Sequence, residues 1–128
     1  MPLLLPPCSV LLVEDNALDV VLVETALEEL QFLGQLEVVL GGEEAVKRLQ
    51  MRPLPEVVLM DIHMPRVGGL GVMEALGVGL TKVKVVLWSS AFSPLDAVEA
   101  QAAGVHLYLE KPRTYQDLLE ALGRVITC

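Results

Sequence analysis

Aromatic side chains are scarce in this 128-residue sequence, at 4%. Any core must therefore be built from Val, Leu and Ala. Cations are also in short supply: 9 Lys and Arg face 17 Asp and Glu, for a net charge of −8. Such a field repels phosphate backbones and anionic lipid, which argues against nucleic acid or membrane as a partner. No apolar run approaches the roughly 20 residues a membrane-spanning helix needs. The opening MPLLLPPC lacks a basic stretch ahead of its prolines and does not read as a signal peptide, so a cytoplasmic location is expected. The two cysteines, Cys8 and Cys128, stand near opposite ends, without metal-site spacing, and are expected to be free thiols. What the chain does have is 53% apolar and 20% charged residues, the balance of a folded protein. Its length suits one domain over residues 1–128, with a core over about 9–126 that needs no disulfide staple.

Five short apolar runs recur, at 10–13, 38–40, 57–60, 83–88 and 105–109. They are mostly continuous rather than alternating, as strands buried on both faces are. Helical patterns separate them. Residues 17–30 carry Val20, Val23, Leu27 and Leu30 at helical spacing, and 43–51 place Ala45, Val46 and Leu49 on one side. Residues 94–103 are Ala-rich behind Pro94, which suits a first helical turn. Residues 115–126 form an apolar stripe with Thr114 placed as the N-cap. The pattern over 70–80 is interrupted by Gly71 and Gly77, each costing about 1 kcal/mol against Ala, so that helix is expected to be short. Strand and helix alternating five times predict an α/β fold with right-handed crossovers, a flavodoxin-like five-stranded parallel sheet of order 2-1-3-4-5 with five helices.

In such sheets ligands bind beyond the carboxyl ends of the strands, at the switch point between strands 1 and 3. The strand ends read Glu14-Asp15, Gly41-Gly42, Asp61, Ser89-Ser90 and Lys111-Pro112. Three carboxylates, a hydroxyl and an amine thus converge on one rim. Clustered carboxylates repel unless a cation joins them, and hard oxygen ligands of this kind suit Mg²⁺. A carboxylate beside such a cation can accept a phosphoryl group, with Lys111 neutralising the transferred charge and Ser89 donating a hydrogen bond to it.

The motifs Val-Glu-Asp-Asn at 13–16, Met-Asp-Ile-His-Met-Pro at 60–65, Gly69, Ser-Ser-Ala at 89–91 and Glu-Lys-Pro at 110–112 resemble the receiver domains of bacterial response regulators. The resemblance runs over nearly the whole chain. It implies that Asp61 is the phosphoacceptor and that Glu14, Asp15, Asp61 and the backbone carbonyl of His63 hold Mg²⁺. It implies further that Lys111 binds the phosphoryl group, that Ser89 is the switch hydroxyl, and that Lys111-Pro112 is a cis bond. Tyr108 reads on spacing alone as either a half-buried strand aromatic or a switch, and the resemblance favours the switch. Gly68 departs from the family, which often has Asp there. Glu-Asp-Asn-Ala-Leu-Asp-Val over 14–20 and the long second loop are similar to regulators paired with phytochrome kinases.

A stand-alone phosphoacceptor, not an enzyme, is therefore expected, fed by a sensor histidine kinase and acting on a downstream protein partner. The chain is expected to carry no output domain, and therefore to form a homodimer through helix 4, strand 5 and helix 5, beside Leu95, Val98 and Tyr108. The kinase would dock near helix 1, which carries Val21 and Leu22, and the loop after strand 5. Two other classes compete. A haloacid-dehalogenase-type phosphatase would need an acid two residues beyond Asp61, where His63 stands. A receiver-like binding module that works without phosphorylation would leave Glu14, Asp15, Asp61, Ser89 and Lys111 unexplained.

Overall fold

The three most apolar runs become the three central strands of the sheet. The computed structural model describes residues 8–80, 82–91 and 93–126. Its elements are β1 (Ser9–Val13), α1 (Ala17–Glu29), β2 (Gln35–Val39), α2 (Gly42–Leu49), β3 (Val57–Asp61), α3 (Gly69–Leu76), a 3₁₀ turn (Gly77–Leu80), β4 (Lys84–Ser89), α4 (Pro94–Ala102), β5 (Leu107–Glu110) and α5 (Tyr115–Val125). The strands pair in parallel in the order β2-β1-β3-β4-β5, as the alternation of elements predicts. Among the described residues no helix is long and apolar enough to cross a membrane.

Side chains alternate across a strand, and that period divides the core in two. Val10, Leu12, Val57, Leu59, Val86 and Trp88 pack against α1 and α5. Their neighbours Leu11, Val13, Val58, Met60, Val85 and Leu87 pack against α2, α3 and α4. Both faces are covered, so β1, β3 and β4 read as continuous apolar runs. The edge strands do not. β2 and β5 keep exposed positions, and their observed bounds differ from the apolar runs at 38–40 and 105–109. Pairing sets those bounds: Gln35 lies opposite Ser9, and Leu107 opposite Val86.

Side-chain caps start three of the helices. Asn16 accepts from the N–H groups of Leu18 and Asp19, Ser93 from that of Asp96, and Thr114 from that of Asp117. The glycine-interrupted third helix is short, as expected, at 8 residues before the 3₁₀ turn. Its first residue sits hard against the strand that ends in Asp61. A Cβ at Gly69 would lie 2.9 Å from Leu87 Cδ2 and 3.0 Å from the Asp61 carbonyl oxygen. Gly69→Ala is accordingly expected to cost about 1–2 kcal/mol through overpacking, read as a lower urea midpoint at unchanged slope.

Two expectations are corrected. Cys8 is disulfide-bonded rather than a free thiol; Cys128, the other cysteine, lies outside the described residues. The expectation rested on compartment, which says how thiols are kept but not where a fold places them. The cis peptide among the described residues is Arg52-Pro53, not Lys111-Pro112. An X–Pro bond is trans by default, by about 0.5–1 kcal/mol. Lys111 makes its sheet bond, N–H to the Ser89 carbonyl at 2.7 Å, in that form.

Candidate phosphoacceptor site

Sheet hydrogen bonds continue past the strands and fix the residues at their tips. The Glu14 N–H donates to the Val39 carbonyl, that of Ile62 to Trp88, and that of Lys111 to Ser89. Glu14, Asp61 and Lys111 are thereby brought to one point above the β1–β3 boundary, where the winding of the sheet reverses. The Lys111 Nζ donates to Glu14 Oε1 at 2.8 Å, Asp19 Oδ2 at 2.9 Å and Asp61 Oδ2 at 3.0 Å. The other oxygen of Asp61 accepts from the His63 N–H at 2.9 Å, which fixes the plane of the carboxylate. Glu14 and Ser89 are fully buried and Asp61 nearly so.

Three carboxylates, those of Glu14, Asp19 and Asp61, hold one ammonium, and Asp15 stands beside Glu14 and Asp61, so the excess is negative. Burial pushes the Glu14 carboxyl up from 4.5 to about 7, against the hydrogen bond and charge of Lys111, which pull it down. For Lys111 burial alone would depress the ammonium. The hydrogen bonds it donates to Glu14, Asp19 and Asp61 outweigh it and hold the group above its ordinary range. Its Nζ also lies 5.9 Å from the centre of the Trp88 ring, within reach of a cation–π attraction.

One oxygen from each of Glu14, Asp15 and Asp61 can be chosen so that all lie within 4.8 Å of one another. Asp15 is exposed and completes the open side. Three hard anionic oxygens, one side open to solvent and an excess of negative charge fit a hard divalent cation that keeps part of its water shell.

The remaining expected residues stand close by but apart from the cluster. The Ser89 hydroxyl donates to the Ala91 carbonyl at 2.9 Å and accepts the Ala91 N–H at 3.1 Å, closing its own turn. Tyr108 is half-buried against the α2–α4 side of the core, and its hydroxyl accepts the Ser93 N–H at 3.4 Å. The His63 side chain is largely exposed, and its Nε2 lies 3.0 Å from Asp96 Oδ2 at the start of α4. Sequence reasoning assigned no role to Asp19 or Asp96. Each lies in the first turn of a helix, where an acidic residue is already explained by the helix dipole.

A parallel five-stranded sheet carrying an acidic cluster and a lysine at its switch point is the architecture of a phosphoacceptor domain. The chain belongs to the response regulator receiver domain family, which matches residues 10–123. It is 34% identical over 126 residues to the probable methanogenesis regulatory protein FilR2 of Methanothrix harundinacea, covering 93% of this chain and 81% of that protein. The Mn(2+)-bound form of response regulator Rcp1, a protein known from Synechocystis, superposes with a TM-score of 0.82 at 26% identity, over 93% of this chain and 91% of that one. The bacteriophytochrome response regulator AtBRR does so with a TM-score of 0.74 at 32% identity, over 94% and 93%. Phytochrome-associated regulators are thus among the neighbours of this chain, in line with the resemblance seen over residues 14–20.

Proposed function

We propose that the chain, as one receiver domain over about residues 9–126, takes a phosphoryl group from a sensor histidine kinase onto Asp61 and signals by changing shape. The observation that carries this reading is the bond from Lys111 to Asp61 at 3.0 Å and to Glu14 at 2.8 Å, made by residues from three separate strand ends. Mg²⁺ is the cation that Glu14, Asp15, Asp61 and the His63 carbonyl would hold, and it supplies charge neutralisation for the incoming phosphate. The residues of the chain do the rest. The Asp61 carboxylate, turned by the His63 N–H, attacks phosphorus to form an acyl phosphate, while the phosphorus–nitrogen bond to the kinase histidine breaks and the imidazole leaves with the electron pair and takes up a proton. Lys111 then meets a new anionic oxygen.

Ser89 would exchange its Ala91 partners for that oxygen, and Tyr108 would turn inward as β4 moves. The chain acts in this reading as a stoichiometric phosphoacceptor in the cytoplasm and not as a turnover enzyme. Its likeness to AtBRR makes a phytochrome kinase the first donor to try. The exposed Val21 and Leu22 on α1 offer that kinase an apolar face. Leu95 and Val98, exposed on α4, lie near Tyr108 and form the patch for a homodimer or a downstream protein.

The test is phosphotransfer from a panel of autophosphorylated histidine kinases, with and without Mg²⁺. Label should pass from at least one kinase and stop on addition of EDTA. Failure with every kinase and with acetyl phosphate alike would sink the reading.

A further inference from the structure

Of the three carboxylates that hold Lys111, only two belong to the cluster that fits a cation. Glu14 and Asp61 do, and Asp19 does not. Yet Asp19 Oδ2 lies 2.9 Å from Nζ, as close as the other two partners. A divalent ion in the cluster draws on Glu14 and Asp61, the carboxylates that now hold the ammonium, and its charge repels the ammonium. An ammonium has three donors and no acceptor, so each carboxylate given up must be replaced.

We propose that Asp19 is a positioning residue: it is the partner Lys111 keeps when Glu14 and Asp61 pass to the cation, so that the ammonium stays at the rim where phosphate arrives. The inference rests on the phosphoacceptor reading above and adds to it a residue outside the expected set. Two further features support it. Asp19 is tied to the site through its backbone: its N–H donates to Asn16 Oδ1 at 3.2 Å, while the Asn16 N–H donates to Glu14 Oε2 at 3.3 Å. A cavity of about 40 Å³, bounded by Asp19, Leu22, Trp88, Pro112 and Leu118, lies beside the Asp19–Lys111 pair. That is room for a water or two, and so for the ammonium head to shift toward Asp19.

The consequence is a coupling between Asp19 and cation affinity that passes through Lys111. It is measured by titrating Mn²⁺ and following water-proton relaxation in four proteins: wild type, Asp19→Ala, Lys111→Met and the double variant, each shown to be folded by circular dichroism. In wild type, Asp19→Ala is expected to weaken Mn²⁺ about fivefold, at the low end for coupled sites. In the Lys111→Met background the same change should weaken it by less than about twofold, the part owed to long-range charge alone. Asp19→Glu, which keeps a carboxylate, should recover most of the affinity.

Equal weakening in both backgrounds would overturn the proposal, because Asp19 would then act as bulk charge or as a fold element. Unchanged affinity in Asp19→Ala would overturn it too. Absence of Mn²⁺ binding in wild type, or binding indifferent to Asp61→Asn, would instead overturn the underlying reading of the cluster and the proposal with it.

Discussion

Asp61→Asn is expected to yield a folded protein that gains no acid-labile phosphate, from acetyl phosphate or from any kinase. The amide oxygen is not a nucleophile at neutral pH and cannot form an acyl phosphate, so the loss is complete rather than partial. The side chain is nearly isosteric and its oxygen still accepts from Lys111 or from the His63 N–H, whose bonds to Asp61 are 3.0 and 2.9 Å. Glu14 and Asp19 still hold the ammonium. Stability should therefore change by no more than about 1 kcal/mol. Label incorporation and a urea transition on the same preparation separate the two effects. Wild-type labelling of the variant would move the acceptor elsewhere on the rim.

Lys111→Met is expected to be the most destabilising single change at the site, and its cost depends on pH and on the cation. Met keeps the apolar stem and removes the charge. Without Mg²⁺ at pH 8, the buried Glu14–Asp61 pair then has no counter-charge, a loss of about 3 kcal/mol. At pH 6 the loss should be smaller, and the sign follows from Glu14. Its folded pKa, raised to about 7 by burial, lies above its ordinary 4.5, so the folded state binds this proton more tightly than the unfolded one. The contribution of Glu14 to stability is greatest below about pH 4.5 and falls as pH rises to 7. Removing Lys111 takes away the hydrogen bond and attraction that restrain this pKa, so it climbs further, and at pH 6 the variant neutralises Glu14 with a proton. Mg²⁺ restores the missing charge at pH 8. Urea unfolding at pH 6 and pH 8 in EDTA, and at pH 8 with Mg²⁺, tests this; an equal loss under all three conditions would show that packing, not charge, is what Lys111 supplies.

The sheet and the rim were legible in the sequence for the same reason. β1, β3 and β4 are covered on both faces, so they had to be continuous apolar runs, and the polar residue ending each run had to lie at the carboxyl edge. β2 and β5 were legible as elements but not in their bounds, because an edge strand shares its exposed positions with solvent. Asp19 was hidden because an acid at a helix start needs no further explanation. The His63–Asp96 contact was hidden because it joins the loop after β3 to the first turn of α4, which no periodic pattern brings together. The disulfide at Cys8 and the trans form of Lys111-Pro112 were misread because compartment and family habit were allowed to stand for geometry.

Trp88 gives the site a built-in lamp. It is the only tryptophan in the chain, and its indole lies 5.9 Å from the Lys111 ammonium, which the proposed chemistry would move. The indole N–H is buried and finds no hydrogen-bond partner among the described residues. Emission colour and intensity are therefore expected to respond to the position of Lys111. On the proposed cycle, cation arrival and phosphoryl capture are each expected to change that emission in unlabelled protein, through the residue that also helps to close the core beneath it.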